Sequence, residues 1–203
     1  DAQSTLRLVW RLPLQVKLRS MSVQSFFREC LALPYKGNSQ DNPEHELQVK
    51  DLLDKHGLKY EWQPNGSQNF PDFRVRVAPD RWIDLECKSS KQAYPTYNGG
   101  LPHKGSVYVF SSAKYNETTL FFADDVVTEK KRAQYERLEA DLNAVLKTYQ
   151  LDEEWQDDPR GFDYYIRNMY TQSGGKDKKD YFTHAQRNQC ESNVLNHNWE
   201  LPG

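Results

Sequence analysis

Long apolar runs are missing from this chain: no stretch approaches the ~20 residues needed to span a bilayer. Cysteine is sparse. Cys30, Cys87 and Cys190 are widely spaced and odd in number, which makes no disulfide framework and suits a reducing cytoplasm. An excess of either charge is missing too, since 27 Lys and Arg against 29 Asp and Glu leave a net charge of -2. That balance excludes a strongly basic field of the kind that coats nucleic acid indiscriminately, although basic residues can still be segregated to one face. No Gly-rich phosphate loop ends in Lys and Ser or Thr, and Asn98-Gly99-Gly100 reads as a turn. No Ser/His/Asp arrangement, internal repeat or low-complexity tract stands out, and the spacing of His184, Cys190 and His197 fits no familiar structural zinc site. With 203 residues, 37% hydrophobic and 28% charged, the chain can bury one substantial core and is short for two.

Two short runs carry the chemistry. Asp72-Phe73-Arg74-Val75-Arg76-Val77 and Trp82-Ile83-Asp84-Leu85-Glu86-Cys87-Lys88 both alternate apolar and polar residues, the pattern of half-buried strands. Ala78-Pro79-Asp80-Arg81 between them is turn chemistry, so the runs should pair antiparallel. Period two sends Ile83, Leu85 and Cys87 into a core and Asp84, Glu86 and Lys88 to the opposite face. Asp72 follows Pro71 at the mouth of the first strand, where it can meet Glu86 and Lys88.

Two carboxylates and an ammonium at one point suit metal-dependent cleavage of a phosphodiester. Mg²⁺ takes oxygen ligands, usually one or two carboxylates together with waters and phosphate oxygens. Asp72 and Glu86 are the candidate carboxylates, and the Cys87 backbone carbonyl is a candidate further ligand. Lys88 could orient or deprotonate the attacking water, or stabilise the charged transition state. The competing reading is a solvated ion pair on a hairpin, worth ~0–1 kcal/mol and without function. The apolar runs Val107 to Phe110 and Leu120 to Ala123 argue against it, because they read as central strands of a covered sheet beside the hairpin.

Pro71-Asp72 followed by Glu86-Cys87-Lys88, with an amphipathic helix before and an apolar strand after, resembles the PD-(D/E)XK nuclease superfamily over about residues 41–125. The stretch from Lys88-Ser89-Ser90 through Pro95, Tyr97-Asn98 and Pro102 to Ser106-Val107-Tyr108-Val109-Phe110 is similar to that of several type II restriction endonucleases. The resemblance implies an α/β restriction-endonuclease-like fold, a mixed central sheet flanked by helices. It implies Mg²⁺-dependent, site-specific hydrolysis of double-stranded DNA by a homodimer cutting a short palindrome. A repair nickase or Holliday-junction resolvase is the neighbouring enzyme reading, and a non-catalytic DNA-binding module the reading from another class. The resemblance also makes Glu46 a candidate completing the metal shell, against an ordinary helix-dipole role. Ser90, Tyr97, Asn98 and Lys104 become candidates for approaching DNA.

The remaining segments organise around this core. Residues 1–20 form an N-terminal extension in which Leu6 to Leu18 alternate with arginines and a lysine; it reads as an extra strand, a transit-like segment, or residues ahead of a natural start at Met21. Residues 21–203 form a single domain with its catalytic core over about 41–150, and Ser25 to Leu31 read as a short helix. A helix is expected from Pro43 to about His56, with Glu46, Val49 and Leu53 on its inner stripe. Another should span Asp124 to Tyr149 and pack across the sheet through Leu138, Leu142, Val145 and Leu146, with a partner helix as the less economical alternative. Residues 151–203 read as a DNA-recognition extension. Its aromatics from Phe162 to Tyr170 are assigned to core rather than to base stacking, Lys176, Lys178 and Lys179 to a basic loop that could cross a phosphate backbone, and Gln186, Arg187 and Asn188 to base edges.

Overall fold

Residues 14–39, 41–157, 159–172 and 180–199 are described by a computed structural model of the chain. The elements that matter are helices α1 (Leu14–Leu31) and α2 (Glu44–Lys55), strands β1 (Tyr60–Trp62), β2 (Phe73–Ala78), β3 (Arg81–Ser90), β4 (Thr96–Tyr97), β5 (Val107–Ser112) and β6 (Glu117–Phe122), helices α3 (Ala123–Val126), α4 (Glu129–Gln150) and α5 (Glu153–Gln156), strand β7 (Tyr170–Thr171) and helix α6 (Arg187–Leu195). The fold is mixed α/β: a five-stranded sheet ordered β1-β2-β3-β5-β6, with β3 and β5 parallel and the other neighbours antiparallel, flanked by helices. The short pair β4 and β7 forms a separate antiparallel ribbon.

The alternation in β2 and β3 becomes two faces. Phe73 opposes Leu85 and Val75 opposes Ile83. These side chains, with Cys87, Val107, Val109 and Leu120, pack under Val23, Phe26 and Phe27 of α1 and Val49 and Leu53 of α2. On the opposite face Tyr108, Phe110 and Phe121 pack with Tyr97, Tyr181, Phe182 and Cys190. Register places Glu86 beside Tyr108 and Lys88 beside Phe110, so the charged side chains of β3 share the sheet face of this second cluster. Gly57 ends α2: it adopts φ 61, open to glycine, while its N–H donates to the Asp54 carbonyl at 3.0 Å.

Four expectations are corrected. The even-numbered apolar pattern continues into residues 14–18, yet these belong to α1, which is continuous with the segment expected as a short helix; residues 1–13 lie outside the described residues. β6 is an edge strand and not a central one. Its two apolar faces are explained by cover, because α6 lies along it and sends Val194 to one core and Cys190 to the other. α4 buries none of its residues, so Leu138, Leu142 and Val145 do not form a stripe against the sheet. Phe162, Tyr164 and Tyr165 are exposed rather than core, whereas Tyr170 of the same stretch packs against the second cluster. Among the described residues no helix is long and apolar enough to cross a membrane.

Candidate active site

The mouth of β2, the middle of β3 and the first turn of α2 meet in a cleft of about 320 Å³ whose walls include Glu46, Asp72, Glu86, Cys87, Lys88 and Asn98. Asp72 Oδ2 accepts the Cys87 N–H at 2.7 Å, and the Asp72 N–H donates to Glu86 Oε2 at 3.2 Å. Lys88 Nζ donates to Glu86 Oε1 at 2.7 Å. The hairpin therefore brings both acids and the ammonium together, as the alternation requires. The Cys87 thiol is buried in the first core, so what this residue offers the cleft is its backbone.

Electrostatics sharpen the picture. Burial, and then the charges of Glu86 and Glu46, push the Asp72 carboxyl well above the usual carboxylate range, with the Cys87 amide and Lys88 opposing them. For Lys88, burial favours loss of the proton, but the charge and hydrogen bond of Glu86 and the charge of Asp72 outweigh it, and its pKa is raised. Lys88 is thus held as an ammonium in this arrangement, which favours charge stabilisation over proton abstraction.

Glu46 is buried on α2 and its carboxylate is already occupied. Oε1 accepts from Asn38 Nδ2 at 2.9 Å, and Oε2 accepts from Gln63 Nε2 at 3.1 Å and Trp62 Nε1 at 3.3 Å. Sequence reasoning missed these three residues: each is unremarkable alone, and their convergence depends on how the loops before α2 and after β1 close. The donor set fits a hard dication held by Asp72, Glu86 and the Cys87 carbonyl, because all three are oxygen donors and the charges of Glu86 and Glu46 crowd Asp72 even with Lys88 beside them. Glu46 lines the same cleft, but in this arrangement its oxygens are taken by Asn38, Trp62 and Gln63.

No family model, curated protein or solved structure matches the chain. The site's reading consequently stands on its own residues.

Of the other candidates, Asn98 lines the cleft, whereas Tyr97 is buried in the second core with its hydroxyl donating to Gln172 at 2.7 Å. Ser90 is at the end of β3, where its hydroxyl accepts the Gln92 N–H at 3.0 Å. Lys104 pairs with Glu129 on α4. Gln186 and Asn188 are exposed near the start of α6, beyond β6 and thus two strands away from β3. Arg187 is committed to the fold: it pairs with Glu117 and Glu191, each at 2.9 Å, and its guanidinium lies 4.5 Å from the Phe182 ring centre. Lys176, Lys178 and Lys179 lie outside the described residues.

A residue with no signal in the sequence adds a cation to the rim. Arg167, within the aromatic stretch, donates from Nε to the Asn98 carbonyl at 3.1 Å and borders an adjoining hollow of about 420 Å³ that also contains Glu86 and Lys88. A larger hollow of about 900 Å³ opens beside Arg81, Phe122 and Trp199, at the opposite end of β3, and does not include the acid and lysine group. Chemistry rather than size singles out the smaller cleft.

Proposed function

We propose that the protein is a Mg²⁺-dependent endonuclease that hydrolyses phosphodiester bonds of double-stranded DNA at specific sites. The observation that carries this reading is the convergence of Asp72, Glu86 and Lys88 on an open cleft, with Asp72 pushed up by burial and then by its acidic neighbours. A bound dication would polarise a phosphoryl oxygen and make a bound water more acidic. Asp72 and Glu86 would hold it, with the Cys87 backbone alongside. Lys88 keeps its proton and places positive charge where negative charge grows on the phosphate, the kind of fixed group that favours a transition state over its ground state. Asn98 and Arg167 at the rim supply polar and cationic contacts for a flanking phosphate, which position the duplex and do not read its sequence.

Purified protein incubated with plasmid and phage DNA tests the reading, in Mg²⁺ and in chelator, beside Lys88→Ala. Discrete fragments that require both Mg²⁺ and Lys88 are expected. Cleavage confined to branched or mismatched DNA would move the assignment to repair. Equal inactivity of the natural protein and Lys88→Ala on every substrate would remove the enzymatic reading.

A further inference from the structure

Helix α4 is 22 residues long and buries none of them. Its apolar side chains nevertheless keep strict spacing: Tyr135, Leu138, Leu142, Val145 and Tyr149 alternate three and four residues apart, the seam of a coiled coil. Leu138, Leu142, Val145 and Tyr149 are exposed, Val145 by 59%. Of the thirteen large apolar side chains that stand exposed among the described residues, ten fall between 138 and 169. Ordinary monomer surfaces scatter such residues singly.

The stretch after α5 widens this surface. Gln150 Nε2 donates to the Tyr164 carbonyl at 3.2 Å, the Tyr170 hydroxyl donates to Glu139, and the Tyr135 and Tyr170 rings meet edge to face at 5.1 Å. Residues 164–170 therefore run back along α4 from its end toward its middle. Phe162, 87% exposed, and Tyr165, 76% exposed, add further apolar surface on and next to this segment.

We infer that this surface is the interface with a second copy of the same chain, formed by antiparallel packing of two α4 helices about a two-fold axis. Charge selects that occupant. After Glu129, which pairs with Lys104, the first turn carries Lys130 and Lys131, whereas beyond Lys147 the segment at the far end carries Asp152, Glu153, Glu154 and Asp157. A surface basic at one end and acidic at the other is complementary to itself when one copy is reversed, as an isologous contact demands. An axis passing between Asn143 and Ala144 sets Leu138 opposite Tyr149 and Leu142 opposite Val145 of the other copy. The same register brings each basic first turn to the acidic end of the other chain. Area agrees with a two-part contact. A helix of this length is about 33 Å long and about 10–12 Å across, so α4 alone supplies roughly half of the ~800 Å² per partner that a standard interface buries. The aromatics of 162–169 supply the remainder.

Sedimentation equilibrium of the full chain without DNA tests the interface separately from any cleavage. The expected result is a dimer at micromolar concentration, with the mass falling to half in Leu142→Glu while far-ultraviolet circular dichroism and melting of the body stay as in the natural protein. Lys130→Glu, which leaves Lys131 over the Tyr135 ring, should weaken the dimer by about tenfold without touching the apolar seam. Orientation is read by a short bismaleimide linker, because Cys30, Cys87 and Cys190 are buried. Leu138→Cys mixed with Tyr149→Cys should link across copies, whereas either variant alone should not, its two copies standing roughly 16 Å apart along the axis at 1.5 Å per residue. A natural protein that stays monomeric at these concentrations, or a dimer indifferent to Leu142→Glu, overturns the inference. Self-linking of Leu138→Cys overturns the antiparallel register.

Discussion

Asp72 and Glu86 are cross-tied through the backbone: the Asp72 N–H donates to the Glu86 carboxylate, while the Asp72 carboxylate accepts the N–H of Cys87, the residue after Glu86. Each acid is thereby held by the other's strand, and neither can swing away without breaking a bond on the opposite side of the hairpin. Two acids fixed this closely in a mostly buried setting repel each other.

Burial first, and that repulsion second, predict a stability effect with a definite sign. The folded-state pKa of Asp72 lies above its unfolded value of about 3.9. The stability this group contributes is therefore fully present below the unfolded value and is lost as pH rises through the folded one. Asn keeps an oxygen for the Cys87 N–H and removes the charge. Asp72→Asn should gain about 1 kcal/mol at pH 8 and almost nothing near pH 4, while cleavage falls at least ~10²-fold. Urea unfolding at the two pH values checks it; an equal gain at both would mean that charge is not its origin.

Lys88 should act by its charge. Burial alone would strip its proton, but Glu86 and Asp72 overrule burial. Lys88→Ala should lower single-turnover cleavage by ~10²–10³-fold and destabilise the fold by about 1.5 kcal/mol, because Glu86 loses a charged hydrogen-bond partner. Lys88→Arg, which keeps the cation, should recover part of the rate. Recovery by neutral Gln instead of Arg would contradict a role based on charge.

How much of this was legible follows from the kind of signal. The β2–β3 hairpin is local, with period two and a turn between, so Asp72, Glu86 and Lys88 can be placed together from sequence. α2 announces itself through Pro43 at its start and Gly57 beyond its end. The stripe of α4 is equally plain, yet a stripe states only that something should cover it; Leu142 reads the same whether it faces its own sheet or another chain. Leu120 and Phe121 showed that β6 is covered on both faces, which a helix along an edge achieves as well as a central position does. The donors around Glu46 and the position of Arg167 rest on contacts between distant loops, for which one sequence carries no period.

Arg187 separates a structural role from base reading. Its guanidinium ties α6 to Glu117 on β6 and to Glu191 on its own helix, and it lies over Phe182. Arg187→Ala should destabilise the protein by about 1–2 kcal/mol and leave the pattern of DNA fragments unchanged. Thermal melting and a digest of phage DNA check the two halves; an altered fragment pattern with melting unaffected would return Arg187 to DNA recognition.

Glu46 offers a sharper distinction, because its charge reaches Asp72 while its oxygens are taken by Asn38, Trp62 and Gln63. Glu46→Gln turns one oxygen into an N–H donor among three donors, so at least one hydrogen bond is lost and the fold should weaken by about 1–3 kcal/mol. It also removes one of the negative charges that push the Asp72 carboxyl up, so that carboxyl should ionise at lower pH. If Asp72 must be ionised to hold Mg²⁺, the acid side of the cleavage profile should move to lower pH in Glu46→Gln, with the Mg²⁺ concentration for half-maximal rate at pH 8 unchanged within about twofold. A metal ligand would behave oppositely: the Mg²⁺ requirement would rise at least tenfold at every pH, the acid side would not shift downward, and Glu46 would have to leave its present donors to reach the ion.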